Sequence, residues 1–240
     1  MNIILVLGCG LAFLLLIATS IIGVGIRQEL DQQRAMQATS TNQTTTGGTY
    51  PAYMPGNGTL FLPGSLQEPN YWPSSEDQSF GGSCQFKGRA LHSRQEKATH
   101  FYDCFSAFSS FADFALEVQM TIIQGDCGVV TFRHNNGKFY FVHICQDGTY
   151  KFLKYQDSTG KNIFSFVGSR PHEAIKRGLN QMNLLAVYAN GNMLRVFVNK
   201  QQIAVAQDGE MAQGAISLAA EDLTQPTEVV FQQAKVWTLQ

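Results

Sequence analysis

The chain has 240 residues, with 17 lysines and arginines against 18 aspartates and glutamates, a formal net charge of −1. That balance excludes nucleic acid as the main partner, because neutralising phosphates needs a surplus of basic side chains. Charged residues are only 15% of the chain, below the roughly 25% of ordinary soluble domains, and 22 glycines with an aromatic share of 11% lean towards strands and turns.

From Asn2 to Ile26 no side chain is charged. The stretch is long enough for a bilayer-spanning helix, which needs about 20 apolar residues. A cleaved signal peptide would carry a basic start and an apolar run of about 7–15 residues, and neither is present. A lipidation box at Val6-Leu7-Gly8-Cys9 would have too short an apolar stretch before its cysteine. Residues 2–26 are therefore read as an uncleaved anchor, with Cys9 a small apolar member of the span and its palmitoylation a minor alternative. Arg27 and Arg34, mixed with Glu29 and Asp31, weakly place the C-terminal part of the chain in the cytoplasm; the cysteines of the C-terminal part argue the other way and weigh more. No basic flank precedes the span, which leaves room for a longer N-terminal region in relatives.

Residues 27–80 read as a polar stalk. Between Ala35 and Ser75 the one charged residue is Glu68, and Thr, Gly, Pro, Ser and Asn dominate with no period of 3.6 or 2. Asn42-Gln43-Thr44 and Asn57-Gly58-Thr59 have the form of N-glycosylation acceptors, a pattern that Thr-rich sequence also produces by chance. Tyr71 and Trp72 are expected to tuck onto the adjoining domain as its first edge.

The texture changes over 81–240. Short apolar runs rich in Val, Ile, Phe and Tyr are separated by turn residues. They predict strands over His100–Phe105, Phe114–Ile122, Gly128–Arg133, Lys138–Cys145, Thr149–Tyr155, Asn183–Ala189, Met193–Asn199, Gln202–Ala206, Ala215–Ala219 and Glu228–Trp237. One short helix is expected near His172–Arg177, stopped by Gly178. So many strands with hairpin turns indicate an all-β antiparallel sandwich or barrel.

Two hairpin registers can be derived from turn chemistry. In Ala189-Asn190-Gly191-Asn192 the Asn-Gly pair is a strong two-residue hairpin signal. It sets Val187 opposite Leu194 and Leu185 opposite Val196. A second turn at Asn199-Lys200 sets Val196 opposite Ile203 and Leu194 opposite Val205. Leu185, Val187, Leu194, Val196, Ile203 and Val205 then share one face of a three-strand meander. The other hairpin turns at Asn135-Asn136-Gly137, pairing His134 with Lys138, Phe132 with Tyr140 and Val130 with Val142. It also sets Cys127 opposite Cys145, within disulfide reach for cross-strand neighbours. Cys84 and Cys104, both near the start of the domain, are paired as a second bridge. Two bridges require an oxidising compartment and so place this domain outside the cytoplasm. A zinc site is disfavoured, since no Cys-x-x-Cys or nearby Cys/His cluster is visible.

The run Phe111-Ala112-Asp113-Phe114-Ala115-Leu116-Glu117-Val118, then Gly128-Val129-Val130-Thr131-Phe132-Arg133, Tyr140-Phe141-Val142 and Asp147-Gly148-Thr149-Tyr150 stand in a familiar order. Asn183-Leu184-Leu185-Ala186-Val187, Gly191, Val196-Phe197-Val198-Asn199, Gly214-Ala215-Ile216 and Val229-Val230-Phe231 complete it. The pattern resembles the concanavalin A-like lectin/glucanase jelly rolls, most of all laminin-G-type domains and bacterial 3-keto-disaccharide hydrolase-type domains. It covers roughly Cys84–Gln240. The resemblance implies two bent antiparallel sheets with ligands on the concave face or at rim loops. It is weakly specific for activity, since the architecture carries lectins, hydrolases and adhesion modules.

The Glu-x-Asp-x-x-Glu strand motif of the retaining glucanases in that superfamily, which sets two carboxylates about 5–5.5 Å apart, is absent. Glu117, Glu228, Asp103 and Asp126 are scattered, and Glu221 and Asp222 are adjacent, hence on opposite faces of a strand. His92, His100, His134, His143 and His172 are dispersed. In the Asn136 hairpin, Arg133, Phe139, Phe141 and His143 fall with Val129 and Thr131 on the face opposite Phe132 and Tyr140, a mixture suited to stacking on a sugar ring and bonding its hydroxyls; the competing reading makes Phe139 and Phe141 core. Tyr188 and Arg195 on the corresponding face of the meander extend the same surface. Asp126, Asp147 and Asp157 are the candidates for calcium, with tight-turn roles favoured instead; no other cofactor or metal is expected. The sequence thus reads as a single-pass, membrane-anchored extracytoplasmic module that binds carbohydrate or another surface ligand without chemistry. The alternatives are a surface glycoside hydrolase of the 3-keto-disaccharide hydrolase type and a structural, adhesion or sensor domain.

Overall fold

The computed structural model describes residues 49–64, 66, 71–108 and 110–240. The anchor expected over residues 2–26, the first part of the stalk and the Asn42 acceptor lie outside the described residues. Among the described residues no helix is long and apolar enough to cross a membrane.

Two antiparallel sheets face each other. The first contains nine strands: β1 (Gly58–Pro63), β2 (Ser75–Asp77), β3 (Gly82–Lys87), β4 (Ala90–Gln95), β7 (Phe114–Gln124), β12 (Met182–Asn190), β13 (Met193–Val198), β14 (Gln201–Gln207) and β16 (Thr227–Leu239). Their order is β14-β13-β12-β7-β16-β4-β3-β2, with β1 also paired to β16. The second contains seven: β5 (His100–Phe101), β6 (Cys104–Phe105), β8 (Cys127–Asn135), β9 (Lys138–Cys145), β10 (Thr149–Tyr155), β11 (Ile163–Pro171) and β15 (Ala215–Asp222). Their order is β11-β10-β9-β8-β15-β5, with β6 also on β15.

The main core lies between the sheets. Leu116, Val118, Leu185, Val187, Leu194, Val196 and Phe231 of the first sheet share one buried cluster with Val130, Phe132, Tyr140, Val142, Tyr150, Phe152 and Leu218 of the second. These are alternate residues of their strands, as the two-residue period of a strand requires. Both expected disulfides are formed. Cys127–Cys145 joins neighbouring strands of one sheet, and Cys84–Cys104 clips β3 of the first sheet to β6 of the second.

The stretch read as stalk enters the domain at residue 49. β1 pairs with the C-terminal strand, Gly58 opposite Leu239, and Met54, Leu62, Leu66 and Trp72 are buried. Strands β2, β3, β4 and β11 also escaped the sequence reading; β2 has only three residues, and β11 is an edge strand whose Ile163 and Phe164 are exposed. The helix expected at His172–Arg177 is a loop of turns. Side-chain bonds replace helical ones there: Asn183 accepts from the Lys176 N–H and donates to its carbonyl, and Asn199 Nδ2 donates to the Ala174 carbonyl.

The meander differs in register. The first turn is Gly191-Asn192, so Val187 faces Val196 and Leu185 faces Val198. The second turn is Asn199-Lys200 as expected, with both residues at positive φ. A bulge then shifts the pairing between Val196 and Phe197. Ile203 keeps its core place, whereas Val205 points outward at 52% exposure and Ala204 and Ala206 pack inward. In the other hairpin the turn is the two-residue Asn136-Gly137, and an extra residue is absorbed as a bulge around Arg133, whose φ is 50°. The pairs Phe132–Tyr140, Val130–Val142 and Cys127–Cys145 stand as expected.

Candidate functional site

The second sheet has an outer face of its own. Val129, Phe139, Phe141 and Ala219 form a separate buried cluster there, packed against Phe101, Leu153 and Tyr155. The Phe139 and Tyr155 rings stack at 4.5 Å, and the Phe101 ring reaches over the sheet to within 5.1 Å of Phe141. Phe139 and Phe141 are thus largely covered, at 6% and 1% exposure. They are covered by Leu153 and Tyr155 of β10 and by Phe101 of the segment 100–105, where Phe101, Asp103 and Phe105 alternate with Tyr102 and Cys104. The latter two turn towards the main core.

Polar groups are threaded through this apolar face. Asp103 Oδ1 accepts from the Ser217 hydroxyl and, at 3.4 Å, from the Thr131 hydroxyl. Burial pushes its carboxyl up to about 6 against those two hydrogen bonds, which pull the other way. His143 Nδ1 lies 2.5 Å from Glu221 Oε2, and its Nε2 is buried without a hydrogen-bond partner. Tyr155 is pushed up to about 12 by burial and by the nearby charges of Glu221 and Asp103. Both carboxylates therefore act on one phenol.

This face opens at the sheet edge into a pocket of about 500 Å³ lined by Pro73, Ser75, Asp77, Phe80, Phe101, Tyr102, Asp103 and Phe105. Phe80 and Phe105 are among the exposed large apolar side chains, at 55% and 39%. Four aromatic rings, two aspartates and one serine hydroxyl make a pocket that offers flat apolar contact together with hydrogen-bond acceptors. Among the described residues no cationic side chain lines it.

The residues nominated from sequence divide into three groups. Phe139, Phe141 and His143 lie together on the outer face of the second sheet. Arg133 leaves that surface at the bulge and is fully buried. Its guanidinium donates to the carbonyls of Ala112, Gly191 and Met211 and contacts Asp113 at 3.3 Å, tying three loops together. Tyr188 and Arg195 belong to the first sheet, so they extend a different surface. Tyr188 sits with Met54, Phe197 and Trp237 under residues 50–56, and Arg195 Nη1 donates to Gln202 at 2.9 Å. In the same region Tyr53 donates to Glu117, and burial together with that carboxylate raises the phenol.

The calcium candidates hold local donors. Asp126 accepts from the backbone of Leu223 and Thr224, Asp147 from Thr149, and Asp157 from Thr159. Phe101, Asp103 and Phe105 were not nominated as a site, although the strand expected over His100–Phe105 already set them on one face; the structure keeps it as two short strands, His100–Phe101 and Cys104–Phe105. Glu221 was missed because its face depends on the pairing of β15 with β8, Ala219 opposite Val129, between segments distant in the chain.

No protein-family model matches the chain, and no curated protein matches it in sequence. Solved structures do resemble it. The carbohydrate binding module CBM66 from Bacillus subtilis is 18% identical with a TM-score of 0.56, over 70% of this chain and 96% of that one. A GlcNAcα1-4Gal-releasing endo-β-galactosidase from Clostridium perfringens is 10% identical with a TM-score of 0.51, over 78% of this chain and 65% of that one. LamAcat from Zobellia galactanivorans is 9% identical with a TM-score of 0.50, over 73% and 93%. At such identities the likeness concerns the backbone, and the described domain shares the jelly-roll β-sandwich fold of these structures.

Proposed function

We propose that the chain is a membrane-anchored, extracytoplasmic module that binds carbohydrate at the aromatic pocket between residues 73–80 and residues 101–105 and carries out no chemistry. One observation carries the reading: exposed Phe80 and Phe105, with Phe101 and Tyr102, stand in one pocket beside Asp77 and Asp103. Rings stack on the apolar faces of a pyranose, and carboxylates accept from its hydroxyls. The fold shared with a carbohydrate-binding module supports it, as do the paired cysteines for the compartment. The test is a glycan array probed with the full chain. Binding to a defined set of glycans is expected, weakened at least tenfold by Phe105→Ala or Phe80→Ala with the melting temperature unchanged. An array without signal, or signal indifferent to both substitutions, sinks the proposal.

The enzyme reading is favoured by a different observation. Asp103, held near 6, and Glu221 both lie on the outer face beside Tyr155, and a pair of carboxyl groups with one raised is what glycoside hydrolysis uses. Release of reducing or oxidised sugar from any bound glycan, abolished by Asp103→Asn, would replace the binding proposal with this one.

A further inference from the structure

The charges around the aromatic pocket are of one sign. Asp77 and Asp103 line it beside Phe80, Phe101, Tyr102 and Phe105, and no cationic side chain joins them among the described residues. Each carboxylate is fixed through a single oxygen. Asp77 Oδ1 accepts from the Ser79 N–H at 2.8 Å, from the Ser79 hydroxyl and from the Phe80 N–H at 3.2 Å, so the same turn presents the acid and the Phe80 ring. Asp103 Oδ1 accepts from the Ser217 and Thr131 hydroxyls. Among the described residues no hydrogen-bond donor reaches Oδ2 of either aspartate.

The cations of the neighbourhood are already engaged. Lys97, whose charge reaches Asp77, donates to the Ser79 carbonyl and does not line the pocket. Asp77 also borders a second pocket of about 240 Å³, which holds Glu76, Lys87, His92, Arg94, Glu96 and Glu228. There Lys87 and His92 hold Glu228 at 3.3 and 2.7 Å, and Arg94 holds Glu96 at 3.0 Å. Glu76 forms no ion pair among the described residues, which leaves a third acid uncompensated on the far side of Asp77.

Exposed ring faces beside uncompensated carboxylates suit a cation. A positive group over a ring face is attracted by its quadrupole, and its N–H groups make charge-assisted hydrogen bonds to carboxylate oxygens. An acidic sugar would instead set its own carboxylate against Asp77 and Asp103 with no counter-charge, a repulsive juxtaposition that rejects it. We propose that the ligand of this pocket is a saccharide bearing free ammonium groups, a deacetylated glucosamine oligomer by class, preferred over its N-acetylated and its acidic counterparts. The inference rests on the carbohydrate reading of the pocket and adds the sign of the ligand's charge. Acetylation turns each ammonium into a neutral amide with one N–H and removes both attractions, while the sugar ring still stacks.

The test is calorimetric titration of the full chain, at physiological ionic strength, with tetramers of glucosamine, N-acetylglucosamine and galacturonate. The glucosamine tetramer should bind at least tenfold more tightly than the acetylated one, and the galacturonate tetramer should not bind. Asp77→Asn keeps an oxygen for the turn, and Asp103→Asn keeps one for both hydroxyls; each should shrink the preference for the free amine at least fivefold without lowering the melting temperature. Asp147→Asn removes the same charge from a turn outside the pocket and should leave the preference intact. Equal affinity for the free and acetylated tetramers, binding of galacturonate, or a preference that survives both pocket variants overturns the inference and leaves the carbohydrate reading standing. A preference lost equally in Asp147→Asn reduces it to unspecific attraction of a polycation and overturns it too. Silence towards all three tetramers, with hits elsewhere on the glycan array, removes the ammonium specificity alone; with a silent array it removes both readings.

Discussion

Asp103 has the clearest consequence at the scale of a single side chain. Its carboxyl lines one pocket with Phe101 and Phe105 and has the Ser217 and Thr131 hydroxyls as donors, and burial lifts it to about 6. An acid whose folded value exceeds its unfolded one binds more protons in the native state. Stability therefore falls as pH rises from about 4 to about 6 and stays lower above that window. At about 1.4 kcal/mol per pH unit, the cost at neutral pH is about 3 kcal/mol. Asp103→Asn keeps an oxygen for both hydroxyls and removes the charge. Urea unfolding should show the variant more stable than the parent at pH 7 and equal to it near pH 4; parallel pH profiles would refute this account. Arg133 teaches the complementary lesson. The face alternation that nominated it is sound up to Phe132, but a bulge at φ 50° turns the side chain inward, where backbone carbonyls use its donors. Nothing local in Phe132-Arg133-His134 announces a bulge, because it is favoured by loop carbonyls waiting from distant parts of the chain.

Among the elements, the meander shows how far turn chemistry carries. Asn199-Lys200 is placed correctly, and five of the six residues assigned to one apolar face are in the core. The sixth, Val205, is displaced by a bulge that lets Ala204 and Ala206 pack where a larger side chain would crowd. Ile203→Ala should then cost about 2–4 kcal/mol in urea unfolding, and Val205→Lys should stay within about 0.5 kcal/mol of the parent. Comparable losses at both positions would restore the unbulged register. Local hairpins were legible because their turn residues are visible, but their registers were legible only in part: Phe132–Tyr140 and Val130–Val142 pair as expected, whereas Val187 faces Val196 in place of Leu194 and Val196 faces Ala204 in place of Ile203. Pairings that close over long distances, β15 on β8 and β16 on β4, leave no local mark, and with them went Glu221 and the aromatic pocket. Segment 75–95 was missed because its strands are polar and lie near the edge of the first sheet.

For the whole molecule, the two disulfides are not equivalent. Cys127–Cys145 reinforces a hairpin that its turn already specifies. Cys84–Cys104 joins the two sheets near the pocket, at a sequence separation of 20, for which loop-closure entropy amounts to about 3 kcal/mol. Cys84→Ser/Cys104→Ser should lower the unfolding free energy by about that amount, read as a shift of the urea midpoint. It should also weaken glycan binding, because the segment carrying Phe101 and Phe105 is fastened at Cys104. A variant as stable as the parent would assign sheet-to-sheet cohesion to the apolar core alone. The anchor and compartment proposed for this chain bear on the same bridges, which persist where thiols are oxidised.

The C-terminal strand β16 hydrogen-bonds to β7 along one edge and to β4 and then β1 along the other, changing partner near the kink at Gln233. During synthesis this strand emerges after the other described strands. Until it does, β1 lacks its neighbour in the sheet and β4 and β7 each lack one. The first sheet therefore closes only once β16 has emerged. A ribosome-stalled or prematurely terminated product without β16 exposes all of these strand edges at once, a species suited to capture by chaperones or to mispairing with another nascent copy.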